Sequence, residues 1–390
     1  MRNNLVSRWL LIIALGIMTF AVSACLDTTE PSWFRRDSGL PPLPDGDGLT
    51  AVKAGQPCTP EQLSPPANAL RVHFIDVGQG DAIWVQSPDG RNILVDAGDG
   101  GFFGRTDAAP IVTNYLTKNG FPPGATFDTI VVTHPHSDHY GGFIKLTNNY
   151  GHHTYIDPGV NGAAVSYDSL VTRLTNNAER VFRPAIGTSN ALVAERGGRV
   201  PDFVFGPDVQ AWLLAGESTL RLGSSQGSKI NNTSLVFRLV YHGRSIMLMG
   251  DAEEDVEFEL LRDFSERTAE PRLNTNILKV GHHGSTTSSS LRFIDTIFGK
   301  TPYDERYAII SSGRLSFSGT QLPAISVVHL LNQYMPLNHV FSTEAGDDAK
   351  TEEEAVGDDH ILAVIKADSS FYVCYTEHTG LTFPDADEED

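Results

Sequence analysis

"THPHSDHYGG", residues 133–142, sets three histidines and one aspartate within positions 134–139 of a chain with 13 histidines in 390 residues. The apolar run "FDTIVV" before it reads as a buried strand, so His134 falls at a strand end. Pro135 biases His134 towards an extended conformation. In an extended chain residues two apart point the same way, so His134 and His136 could grip one cation. Asp138 and His139 follow, just before Gly141 and Gly142, and a turn there could present them to a second cation. Imidazole and carboxylate together suit zinc, manganese or iron. A polar turn entering a helix is the plainer alternative, and the density of the match argues against it.

Two other strand ends carry the same chemistry. Asp251 closes "RSIMLMGD" (244–251), and His282 and His283 close "TNILKVGHHG" (275–284). Taken alone, Asp251 could be a helix N-cap, and a histidine pair between glycines could be a plain loop. Three strands that each end in metal-type ligands, at one edge of a sheet, argue for a site.

These segments carry a resemblance. "HFIDVGQGDA" (73–82), "NILVDAG" (92–98), "THPHSDHYGG", "NNTSLVFRL" (231–239), "MLMGDAE" (247–253) and "ILKVGHHGS" (277–285) resemble the metallo-β-lactamase superfamily. Within it they are most similar to the hydrolase domain of ComEC/Rec2 competence proteins, over about residues 69–376 and including "YAIISSG" (307–313). The many-helix membrane channel of those proteins has no counterpart here, so the chain looks like a free-standing relative. The resemblance implies a single α/β domain, an αββα sandwich, with two divalent ions at one sheet edge, zinc or alternatively manganese. It implies that His134 and His136 hold the first ion, Asp138 and His139 the second, and that Asp251 bridges them. One of His282 and His283 matches the last ligand; the other is left to contact substrate or donate a proton. We assign His282 to the metal, and Asp138, Asp251 and His283 to catalysis. Asp96, in "VDAG", matches an aspartate that orients the ligands from behind.

Two departures stand out. Many family members carry a further first-metal histidine before the "GD" strand, where this chain has Asn231 and Asn232. An amide oxygen or a water could fill that place, which leaves metal identity and full occupancy open. Where the branch often has His-Pro, this chain has Leu322–Pro323. His152 and His153 enter a strand and read as structural, and His242 as a hairpin-turn residue. "DVGQGD" (76–81) lacks the Lys–Ser/Thr and following helix of a phosphate loop, and reads as a tight turn near the site. Lys279 could steady a phosphate oxygen or be a plain solvated lysine.

The chain ends frame this domain. Arg2 and Arg8, an apolar run from Leu10 to Val22 and the small residues after it read as a secretory signal, and "VSAC" (22–25) resembles a bacterial lipobox, so residues 1–24 are expected to be a lipoprotein signal; an ordinary signal peptide with a chance cysteine is the alternative. Cys25 would be lipidated and would anchor an exported protein to the membrane of the cell envelope. Residues 25–66, Pro/Gly-rich in part, read as a linker, 67–380 as the hydrolase domain and 381–390 as an acidic tail. Cys58 and Cys374 form either a disulfide between the chain ends or two buried thiols. No obligate protein partner is evident.

Two neighbouring divalent ions can hold a bridging hydroxide at neutral pH and stabilise charge on a scissile ester. No serine or cysteine nucleophile need be invoked. A phosphodiesterase or nuclease fits the branch resemblance, with a phosphodiester or nucleic acid as substrate. The net charge of −19 disfavours a long duplex and favours short, single-stranded or small substrates. A lactamase or lactonase, and a non-catalytic surface binding protein with a degenerate site, are the alternatives.

Overall fold

The computed structural model describes residues 55–102, 105–183, 196–313, 322–344 and 357–377. The short β-rich runs of the sequence form strands. In chain order, β1 (Leu70–Phe74), β2 (Ile83–Gln86), β3 (Asn92–Val95), β4 (Thr126–Val131), β5 (Gly151–Ile156) and β6 (Arg180–Phe182) belong to one sheet. β7 (Gly198–Arg199), β8 (Gln210–Ala215), β9 (Val236–Tyr241), β10 (Arg244–Leu248), β11 (Ile277–Lys279), β12 (Tyr307–Ile310) and β13 (Val340–Ser342) make a second. β14 (Ile361–Ile365) and β15 (Phe371–Tyr375) form a hairpin that returns to the first. The strand orders are β15-β14-β1-β2-β3-β4-β5-β6 and β13-β12-β11-β10-β9-β8-β7.

Each sheet buries both faces, which explains the nearly continuous apolar runs. Val72, Phe74, Val85, Val95 and Val131 of the first sheet share one core with Phe237, Leu239, Met247 and Ile277 of the second. The outer face of the first sheet, with Trp84, Leu94, Phe127 and Ile130, is covered by the helices Ala108–Lys118 and Val165–Asn177. Helices Glu254–Phe264, Leu291–Phe298 and Ile325–Tyr334 pack their apolar sides against the second sheet. The result is the expected αββα sandwich.

β3 to β6 run parallel, as do β10 to β13. Side chains placed just after β3, β4, β10, β11 and β12 therefore emerge at carboxyl ends of strands, the usual place for a site in such sheets. Asp96, His134, Asp251, His282–His283 and Ser311 lie there.

The linker expectation for 25–66 needs correction from Gly55 on. Pro57 bridges to Tyr375, Cys58 N donates to Tyr375 O at 2.8 Å, and Tyr372 Oη donates to Gln62 O at 2.6 Å. A Cys58–Cys374 disulfide, with Cα atoms 4.9 Å apart, fastens this segment to β15. The signal, Cys25, the rest of the linker and the acidic tail lie outside the described residues.

The paired glycines of "HYGG" are packing residues. A Cβ on Gly142 would sit 1.9 Å from Ala97 O, and one on Gly141 2.2 Å from Gly100 N. Only hydrogens fit where this turn crosses the loop after β3. Gly142→Ala should cost about 1–3 kcal/mol by overpacking. A denaturation midpoint equal to that of the native chain would show that the two loops can move apart freely.

Candidate metal centre

Asp96 follows β3 in the left-handed region (φ 57°), where few residues other than glycine are found. That turn aims its carboxylate at the end of β4. There it accepts from Thr133 N (2.8 Å), Thr133 Oγ1 (2.6 Å) and His139 Nδ1 (2.8 Å). His139 and Asp138 sit on the single helical turn Ser137–Tyr140. Asp251 emerges after β10 with its N–H held by Ser234 Oγ at 3.0 Å. His282 and His283, after β11, are both left-handed (φ 45° and 53°). Such backbone costs on the order of 1–3 kcal/mol per residue and persists only where its surroundings impose it. Here it sends adjacent side chains in different directions.

Hydrogen bonds fix the imidazole tautomers. His139 Nδ1 faces the Asp96 carboxylate, and His283 Nδ1 faces the Ser311 carbonyl at 2.8 Å. Both partners are acceptors, so both Nδ1 atoms carry hydrogen and a neutral ring leaves Nε2 as a bare lone pair. Those two Nε2 atoms are 3.3 Å apart. Asp251 adds Oδ1 at 3.2 Å from His139 Nε2 and Oδ2 at 3.3 Å from His283 Nε2. On the other side, His134 Nε2 lies 3.6 Å from Asp251 Oδ2 and 3.2 Å from His136 Nδ1. Asp138 Oδ2 lies 3.7 Å from His283 Nε2. Asp251 Oδ1 is buried and receives no well-directed hydrogen bond. Convergent lone pairs and carboxylates of this kind repel one another and fit divalent cations. His134, His139 and Asp251 form one ligand group, and Asp138, His139 and His283 another.

Electrostatics point the same way. Burial opposes charge on His139, yet the carboxylates of Asp251 and Asp96 hold its proton well above the ordinary histidine range. His283 is likewise raised against burial, chiefly by Asp251. Burial would raise Asp251, but His139 and His283 keep it well below the carboxylate range. Burial and the neighbouring His139 push His134 well down, and burial lowers His136.

The sequence-predicted residues divide as follows. His134, His136, Asp138, His139 and Asp251 come together, with Asp96 behind them. The histidine pair is exchanged relative to expectation: buried His283 faces the cluster. His282 instead turns to Thr287 Oγ1 (2.8 Å), Glu253 Oε1 (3.5 Å) and Asn231 Nδ2 (3.3 Å). Lys279 is not a solvated or phosphate-holding lysine: it is fully buried, with Nζ 2.8 Å from Asp81 Oδ1 and 3.0 Å from the Val280 carbonyl. Asn232 Oδ1 accepts from Glu253 N at 2.9 Å, away from any ligand role. Asn231 donates to Glu253 Oε1 at 2.8 Å, while its buried Oδ1 receives nothing. His152 bonds Leu174 O, His153 bonds Glu179 and His242 sits in the β9–β10 turn, all away from the centre.

Sequence reading missed Glu253, Asp81, Thr133, Ser311 and Arg105. Asp81 ends the "DVGQGD" turn, whose Gly80 leaves no room for a side chain: a Cβ there would lie 2.2 Å from Asp138 O. The missed signal was the joint presence of that turn and "LKVGHHG", which meet through the Asp81–Lys279 pair.

The sequence profile of the Metallo-beta-lactamase superfamily matches residues 75–300. ComE operon protein 3 of Bacillus subtilis is 28% identical over 254 residues, covering 62% of this chain and 28% of that protein. Recombination protein 2 of Haemophilus influenzae is 25% identical over 278 residues, covering 70% and 28%. The chain thus spans under a third of the length of these relatives. Among solved structures, the metallo-beta-lactamase fold protein YhfI from Bacillus subtilis aligns with TM-score 0.38 and 11% identity, over 70% of this chain and 96% of that one.

Metal titration tests the ligand assignment. His283→Ala should lose about one metal per chain, whereas His282→Ala should keep the native stoichiometry. Because the carboxylates favour the protonated forms of His139 and His283, protons compete with a metal, so uptake should strengthen as pH rises, with the competition reaching above the ordinary histidine range. Uptake that strengthens on acidification would contradict the protonation states described.

Proposed function

The chain belongs to the metallo-beta-lactamase superfamily, and on that premise we propose that it is a metal-dependent hydrolase acting on phosphodiesters. The carrying observation is a pair of overlapping ligand groups drawn from both sheets, His134–His139–Asp251 and Asp138–His139–His283. Two divalent cations there, zinc or manganese, would supply a nucleophilic water at neutral pH and neutralise charge developing on the scissile group.

The chain's own residues set the geometry. Asp96 and the Ser311 carbonyl hold the His139 and His283 rings with Nε2 inward. Asp251 belongs to one ligand group and lies 3.3 Å from His283 of the other. Asp138 (13% exposed) and His282 (16% exposed) mark the solvent side by which substrate would arrive. The likeness to competence and recombination proteins supports a phosphodiester or nucleic-acid substrate over a lactam or lactone. The net charge of −19 supports a short or single-stranded one.

The decisive experiment loads the protein with Zn²⁺ or Mn²⁺ and offers bis-p-nitrophenyl phosphate, single-stranded DNA and a β-lactam. Diester cleavage is expected, falling more than about 100-fold in Asp138→Ala and His139→Ala. Activity unchanged in those variants would overturn the site. Asn231 at a histidine position favours a second reading, a non-catalytic binding protein; metal content well under one per chain after reconstitution would select it.

The lipid anchor at Cys25 and export remain part of the proposal, supported by the signal pattern and by a disulfide suited to an oxidising compartment. Cys25→Ala should move the protein from the membrane to the soluble fraction of lysed cells. Continued membrane retention would refute the anchor.

A further inference from the structure

Cations approach the cluster from two sides. Lys279 comes from within: it is fully buried, pinned to Asp81 and closed off from any ligand. Arg105 comes from the rim, with about a fifth of its side chain exposed. Its Nη1 lies 3.2 Å from Asp99 Oδ2 and 3.7 Å from Asp138 Oδ2. Asp99 is itself buried and fixed, since it accepts from Phe102 N (2.8 Å) and Ser137 Oγ (3.0 Å). Arg105 N donates to Phe102 O at 3.1 Å within its own loop, while Asp99, which the guanidinium contacts, accepts from Ser137 Oγ of the turn that carries Asp138. Arg105 thus sets a guanidinium beside the carboxylate of the candidate ligand Asp138, with about a fifth of its side chain exposed.

We propose that Arg105 is the substrate-anchoring residue of this centre, presenting its guanidinium to a non-bridging oxygen of an anionic phosphoryl group bound at the Asp138 side. Guanidinium suits this role because its planar fork offers paired donors to phosphate oxygens without losing charge. The surrounding chain is acidic, so a fixed cation at the rim selects an anion where the overall field would repel it. A neutral lactam or lactone gains nothing from such a group. The inference deepens the phosphodiesterase reading and rests on it for the substrate class.

The test uses the full metal-loaded chain and inorganic phosphate as probe, with binding measured by calorimetry and metal content measured in parallel. Arg105→Ala should weaken phosphate binding about 10- to 100-fold, the usual weight of a charge-assisted pair. It should raise KM for bis-p-nitrophenyl phosphate more than it lowers kcat, with metal content unchanged. Arg105→Lys should recover part of the affinity. Equal phosphate affinity in Arg105→Ala, or an unchanged KM, would overturn the anchor while leaving the hydrolase reading intact. Loss of a metal in Arg105→Ala would also overturn it, making Arg105 a support for Asp138. Phosphate binding that depends on Arg105, in a native protein that cleaves no diester, would uphold the anchor and sink the hydrolase reading.

Discussion

Four Lewis-basic side chains face each other in the interior of this protein, and the rest of the site is arranged to keep them there. His134, His139, His283 and Asp251 approach within 3.2–3.6 Å of their neighbours through nitrogen and oxygen lone pairs. Free rings would rotate apart. They are prevented because each outward atom is occupied: His139 Nδ1 by Asp96, His283 Nδ1 by the Ser311 carbonyl, His134 Nδ1 by Thr133 Oγ1 at 3.1 Å. The repulsion can then be relieved only by positive charge at the centre, protons in one state and divalent ions in the other. The raised positions of His139 and His283 and the depressed one of Asp251 express the first of these states.

Holding those anchors requires close backbone contact and local strain. Asp96 is left-handed, and so are His282 and His283. Gly80 and Gly142 lie where a methyl group would collide with carbonyl oxygens of Asp138 and Ala97. The glycines of the metal motif and of "DVGQGD" thus contribute by absence of volume. Lys279 contributes by pairing: where Asp81, Asp96, Asp138 and Asp251 crowd together, its Nζ lies 2.8 Å from the buried Asp81 carboxylate.

Most of the side chains that the structure gathers into the candidate centre were legible in the sequence, because coordination needs particular residue types that are rare enough to show as clusters. The sandwich was legible because apolar runs ending in polar residues recur at strand length. Three matters were not. His282 and His283 are indistinguishable as letters, and only the left-handed backbone separates an inward ring from an outward one. Lys279 gives no sign in sequence of lying buried, since its partner Asp81 is almost two hundred positions away. The docking of residues 55–66 depends on β15, at the far end of the chain, while their proline content alone suggested a free tether.

The position of Asn231 follows from the same logic. Its Nδ2 is committed to Glu253 Oε1 and lies 3.3 Å from His282 Nε2. Flipping the amide would set its oxygen against the Glu253 carboxylate, so the orientation is fixed and Oδ1 is left without a hydrogen. Glu253 also receives Ser228 Oγ and has its N–H held by Asn232, which makes it the hub of the corner where a family histidine was expected. A histidine at 231 would lack the second amide arm that meets this carboxylate. The exchange of imidazole for amide therefore comes with its own supporting group two residues after Asp251.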